Sequence, residues 1–79
     1  MKLPRDLSGI ELAKKLEVLG YSITRQVGSH IRLTTSENGQ HHVTIPAHSP
    51  LKIGTLSGIL TEVAQHHKIS RKDVIKKIT

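Results

Sequence analysis

Two kinds of side chain in this sequence can move protons or neutralise phosphate near neutral pH: its six histidines and its twelve lysines and arginines. A histidine titrates near pH 6.5, so it can take a proton from an attacking hydroxyl or give one to a leaving oxygen. An arginine can neutralise a phosphate. The stretch VGSHIRLTT, residues 27–35, joins both types: His30 and Arg32 follow the pair Gly28-Ser29. Strand alternation places them on one face. His42 falls on the polar side of the next expected strand. Directly opposed side chains in an antiparallel pair lie about 4.5–5.5 Å apart, so His42 is expected to share a patch with His30 and Arg32. That set suits cleavage of RNA by its own 2′-hydroxyl. The same pattern also describes an ordinary solvated sheet face, and the spacing alone leaves both readings open.

The remaining titratable groups carry weaker signals. His41 and His42 are adjacent on a strand and face opposite ways, so they cannot both bind one ion. His66 and His67 are about 100° apart at a helix end and read as polar or cationic residues favoured near a C-terminus. His41 reads as a strand-end residue. There is no H-x-x-x-H, and a catalytic zinc needs three convergent ligands, so no metal is expected. Nor does the sequence hold a dinucleotide fingerprint, a P-loop or a nucleophile elbow. The carboxylates are scattered, and Glu11 and Asp73 have capping roles, which argues against a paired-carboxylate mechanism.

Bulk composition narrows the function classes. The chain of 79 residues is expected to be a single domain over 1–79. So short a chain has roughly 3–5 kcal/mol of core stability, which makes a partner or an oligomer relevant to it. It has no cysteine, which excludes disulfides and thiolate zinc sites and fits a reducing cytoplasm. No apolar run approaches the roughly 20 residues of a membrane helix, and MKLPRDLSG lacks the apolar core of a signal peptide. The formal charge of +6 attracts polyanions, nucleic acid foremost. Tyr21 is the only aromatic residue, so recognition by stacked bases is not expected.

The elements that must position these residues follow from periodicity. Ser8 and Glu11 form a capping box, with Leu7 and Leu12 placed as its hydrophobic staple. Leu12, Leu16 and Leu19 continue the helix over about residues 8–19, and Gly20 stops it. The period then changes to two. Tyr21, Ile23 and Val27 are expected on one face, with Ser22, Thr24 and Gln26 on the other. Gly28-Ser29 turns the chain. Ile31 and Leu33 are expected inward, leaving His30, Arg32 and Thr34 outward. Glu37-Asn38-Gly39 is a second turn. Val43 and Ile45 share a face of the third strand, opposite His42 and Thr44, and Pro46 ends it. AHSPLKIG, residues 47–54, reads as a loop. Leu56, Ile59, Leu60, Val63 and Ala64 then form an apolar stripe at i, i+3, i+4, i+7, i+8. That helix should end near His66–Lys68. A short third helix starts at Ser70, with Asp73 completing a capping box, Ile69 stapled to Val74, and Val74, Ile75 and Ile78 apolar. The fold class is α+β: α-β-β-β-α around a three-stranded antiparallel meander, helices on one face, plus a short C-terminal helix.

Three stretches taken together resemble a known family. LEVLGYSITRQVGSH at 16–30, IPAHSPLKIGTLSGIL at 45–60 and ISRKDVI at 69–75 are similar to the HicA-type mRNA interferase toxins of type II toxin–antitoxin modules. The features carrying the resemblance are GSH at 28–30, the proline–x–histidine at 46–48 and G-T-L-x-x-I-L at 54–60. The resemblance implies a double-stranded-RNA-binding-like fold and a small metal-independent endoribonuclease that inhibits translation, with no cofactor. It implies a HicB-type antitoxin partner, with oligomerisation mainly through that complex, RNA as the other partner, and a cytoplasmic location. It transfers the catalytic role to His30. It assigns His48 a secondary role in catalysis or RNA contact, a role His42 is also placed to share. Gly28 and Ser29 present the site. Arg32, Lys52 and Arg25 are the candidate RNA contacts, with Arg32 and Lys52 nearest these histidines in sequence and face. Two departures stand out: Ile31 follows the GSH histidine with no aromatic in the strand, and TEVAQHHKIS at 61–70 lengthens the link between the second and third helices. The alternative function is a non-catalytic basic RNA-binding module of the same fold, which would bind RNA and leave it intact. A third is an interaction protein whose basic face fits an acidic partner.

Overall fold

The computed structural model describes residues 6–79. The first five residues of the N-terminal segment MKLPRDLSG lie outside the described residues. The element order is α1 (Gly9–Lys15) running into a 3-10 turn (Leu16–Leu19), β1 (Ser22–Val27), β2 (His30–Thr35), β3 (His41–Pro46), α2 (Ile53–His67) and α3 (Arg71–Ile78). The strands form one antiparallel sheet in the order β1-β2-β3. This is the α+β meander the sequence predicts.

Local chemistry sets the helix ends. The Ser8 hydroxyl accepts from the Glu11 N–H at 3.1 Å, and the Glu11 carboxylate accepts from the Ser8 N–H at 3.0 Å, completing the capping box. Those bonds to Ser8 hold the Glu11 carboxyl below its usual range. α2 starts at Ile53, so Ile53 and Gly54 belong to the helix rather than to the loop expected over 47–54. It runs to His67, and the residues expected to lengthen the link to α3 extend the helix instead; the link itself is Lys68-Ile69-Ser70. Ser70 caps α3 by accepting from the Asp73 N–H at 3.0 Å, one half of the expected box.

Helices cover one face of the sheet. Ile31, Leu33, Val43 and Ile45 point into the core, against Leu12 and Leu16 of the first helical segment, the stripe Leu56, Ile59, Leu60, Val63 and Ala64 of α2, and Val74, Ile75 and Ile78 of α3. Each fully buried aliphatic side chain contributes about 1.5–3 kcal/mol, so this set holds the sheet and helices together. No helix among the described residues is long and apolar enough to cross a membrane.

β1 departs from simple alternation. Ile23 pairs with Leu33, but Arg25 pairs with Arg32, so two steps on β1 match one on β2. The extra residue is a β-bulge at Thr24-Arg25. It reverses the parity of the rest of the strand. Ile23 stays on the helix side, whereas Val27 opposes His30 on the open face, and the two do not share a face as expected. Both are more than half exposed: Val27 because it lies on the uncovered face, and Ile23 although it lies on the helix side of this edge strand.

Four aromatic and imidazole rings brace the far end of the sheet. His66 Nε2–H donates to the carbonyls of Glu37 and Gly39, at 2.9 and 3.0 Å. His67 is buried and bonds the Tyr21 hydroxyl at 3.3 Å through Nε2 and the Asn38 side-chain amide at 3.4 Å through Nδ1. The Tyr21 hydroxyl bonds His41 Nδ1 at 2.8 Å. One proton order satisfies the chain: Asn38 donates to His67, His67 to Tyr21, and Tyr21 to His41. That order requires neutral imidazoles. The rings of His41 and His66 stack at 4.3 Å. His66 and His67 therefore clamp the 36–40 loop to α2, beyond the helix-end role the sequence suggests for them. Burial, and then the neighbouring His66, hold the pKa of both His41 and His67 below the ordinary value. Burial pushes the Tyr21 hydroxyl up to about 12.

Candidate active site

The hairpin between β1 and β2 presents His30. Val27 and His30 are paired, so the connection is the two residues Gly28-Ser29. Gly28 has φ +57, in the left-handed region, while Ser29 is not among the positive-φ residues. That sign pattern is the one of a type II′ turn, which takes glycine at its first central position and matches the twist of the flanking strands. Nothing lies within 4 Å of where a Cβ of Gly28 would stand, so backbone conformation alone selects glycine there.

A second segment is fixed against this turn. The Ala47 N–H donates to the Ser29 carbonyl at 2.6 Å, extending the β2–β3 ladder beyond its last pair, His30 and Pro46. The loop bearing His48 thus starts directly beside the turn bearing His30. Its other side is held by the start of α1 and the residues before it: the Gly9 N–H donates to the His48 carbonyl at 2.9 Å, and the Leu51 N–H to the Leu7 carbonyl at 2.8 Å. Gly9 is buried, and a Cβ on it would run into the Pro46 carbonyl. This close approach lets the start of α1 pin the loop. The helical position of Gly9 gave no sign of it, because the constraint comes from a backbone 37 residues away along the chain.

Pairing across the open face arranges the side chains in three rows. Val27, His30 and Pro46 form the first. Arg25, Arg32 and Thr44 form the second. Ser22, Thr34 and His42 form the third, which Thr24 joins: its hydroxyl lies 2.9 Å from that of Thr34, which lies 2.8 Å from His42 Nδ1. Successive rows are about 6–7 Å apart, two residues of strand rise. His30, Arg32 and His42 all face solvent on this side, as expected. His42, however, opposes Thr34 and not His30, and four residue steps along β2 separate His30 from Thr34 by about 13 Å. The structure brings His30 together with Arg32, Arg25 and the start of the His48 loop; it sets His42 at the other end of the face. Lys52 closes the His48 loop at the N-cap position of α2, with no side-chain cap bond and no acidic residue in the first turn. The positive end of the helix and a lysine therefore coincide.

The described residues form no pocket, so the site is a shallow open surface. Among the described residues no group of three His, Asp or Glu side chains is placed to hold a metal ion.

Fold and site define a small basic α+β protein that carries a histidine hairpin on the uncovered face of a three-stranded sheet. Residues 9–65 match the family model described as the HicA toxin of bacterial toxin–antitoxin systems, and the chain belongs to that family. The match spans α1 to α2 and ends before α3. No curated protein and no solved structure gives a significant match.

Proposed function

We propose that this toxin is an endoribonuclease that cleaves mRNA in the cytoplasm without a metal ion, and that His30 is its general acid or base. The observation that carries the proposal is the position of His30: first residue of β2, exposed on the open face, with the His48 loop bonded to the carbonyl of the residue before it. In the reaction the 2′-hydroxyl of one nucleotide attacks the adjacent phosphorus as its proton leaves to a base. The 5′-oxygen departs with a proton from an acid, giving a 2′,3′-cyclic phosphate and a 5′-hydroxyl. His30 supplies one of these transfers. His48, in the loop fixed beside it, contacts the phosphate or assists the other. Arg32 and Arg25 in the next row, and Lys52 at the start of α2, neutralise RNA phosphates. One positioned acid–base group gives about 10²–10⁴-fold, so this enzyme is slow.

A HicB-type antitoxin covers the site in the resting complex, and assembly beyond the single chain runs mainly through it. Val27, Ile23, Ile10 and Val18, all exposed apolar side chains, supply surface for such a partner. The test is incubation of the purified chain with a single-stranded RNA in excess chelator. The expected product carries a cyclic phosphate, and a substrate with 2′-deoxyribose throughout stays intact. Unbroken RNA, bound with a steep salt dependence, would instead identify a non-catalytic binding module.

A further inference from the structure

The β1 bulge changes which charges face solvent. With regular alternation Arg25 and Val27 would share the helix side with Ile23. The extra residue at Thr24 rotates both onto the open face and sets Arg25 directly opposite Arg32. Like charges directly opposed across strands are destabilising, and bulges beside active sites re-aim side chains. Local rules are broken chiefly at functional or strained sites, and a ligand of opposite charge would offset this pair. The row of two guanidiniums lies about 6–7 Å from the His30 row, two residues along the strand. That step is comparable to the spacing of successive phosphates on an extended nucleic acid strand. The next row, the hydroxyls of Thr24 and Thr34 and the imidazole of His42, repeats the step and offers a further set of hydrogen-bonding groups.

We infer that the bulged sheet face is a track for one extended RNA strand running along β2, in which Arg25 and Arg32 together grip the phosphate next to the one at His30. The occupant is a single strand and not a duplex, because the rows follow one line along one β-strand and one backbone fills them. Val27 and Pro46 flank His30 and contact the sugar at the reacting position. Thr34 fixes the His42 ring through Nδ1, which leaves Nε2 toward the phosphate at the end of the track. This inference rests on the ribonuclease reading for what happens at His30, but its binding geometry stands or falls separately.

The experiment measures affinity for a 2′-O-methyl single-stranded oligonucleotide, which cannot be cleaved, across a series of salt concentrations. Wild type is compared with Arg25→Gln, Arg32→Gln and Lys76→Gln, the last removing a charge from exposed α3. Each arginine substitution is expected to weaken binding for all sequences alike and to reduce the slope of log affinity against log salt, and the two together are expected to remove about 0.7, the single-strand value for the one phosphate they share. Lys76→Gln is expected to leave that slope unchanged, and the annealed duplex to bind more weakly than the single strand. Melting temperatures of the arginine variants should equal or exceed wild type, since a like-charge pair is removed. The inference is overturned if Arg25→Gln changes the slope no more than Lys76→Gln, or if the duplex binds as tightly. Cleavage by wild type together with an unchanged Arg25→Gln slope removes the track and keeps the ribonuclease. Arginine-dependent binding without cleavage does the reverse.

Discussion

At the scale of single residues, the chain separates groups that present chemistry from groups that hold a shape. His30 is exposed and paired only through its backbone, so removing its imidazole leaves the core untouched. Gly28 is different: its φ of +57 makes any other residue strained. Gly28→Ala is expected to cost about 1–3 kcal/mol and to lower cleavage by moving His30, seen as a reduced melting temperature together with a reduced rate. Gly9→Ala is expected to destabilise by a similar amount, about 1–3 kcal/mol, because the added methyl overpacks against the Pro46 carbonyl. It should also disturb amide signals of residues 46–48, an effect a simple loss of helix stability would not concentrate there. His30 and Gly28 were legible in the sequence, since turn chemistry and alternation are local. Gly9 was not, because its neighbour is distant in the chain.

At the scale of elements, the apolar stripe of α2, the capping box of α1 and the inward pairs Ile31/Leu33 and Val43/Ile45 read directly from periodicity and are buried as expected. β1 did not read correctly. Every residue around Thr24-Arg25 is compatible with a regular strand, so nothing in composition marks the extra residue, yet it reverses which side Arg25 and Val27 face. The distance between His30 and His42 was equally hidden, because register decides it. The clamp of α2 on the 36–40 loop is a third such case: adjacent histidines at a helix end look solvated until the loop packs against them. His66→Ala removes the bonds to Glu37 and Gly39. Amide exchange over residues 37–40 is then expected to speed up, while the amides of the His30 hairpin keep their wild-type rates.

At the scale of the whole molecule, stability should depend on pH through the same histidines. His41 and His67 have folded-state pKa values below their unfolded ones, first through burial and then through His66. Glu62 opposes this at His41 and Glu37 at His67, while His42 and His67 add to it at His41. The unfolded chain therefore binds more protons as pH falls below about 6.5, so the stabilisation present above that pH is lost as pH drops through the folded values. Chemical denaturation at pH 7.5 and 5.5 is expected to show lower stability at the acid value. His67→Gln should flatten the difference. The central claim, however, is catalytic. The most direct measurement compares RNA cleavage by wild type and His30→Ala, with circular dichroism and melting recorded on the same samples. The predicted result is equal folding and a rate reduced by about 10²–10⁴-fold in the variant. A folded His30→Ala protein that cleaves RNA at the wild-type rate would contradict the catalytic role of His30.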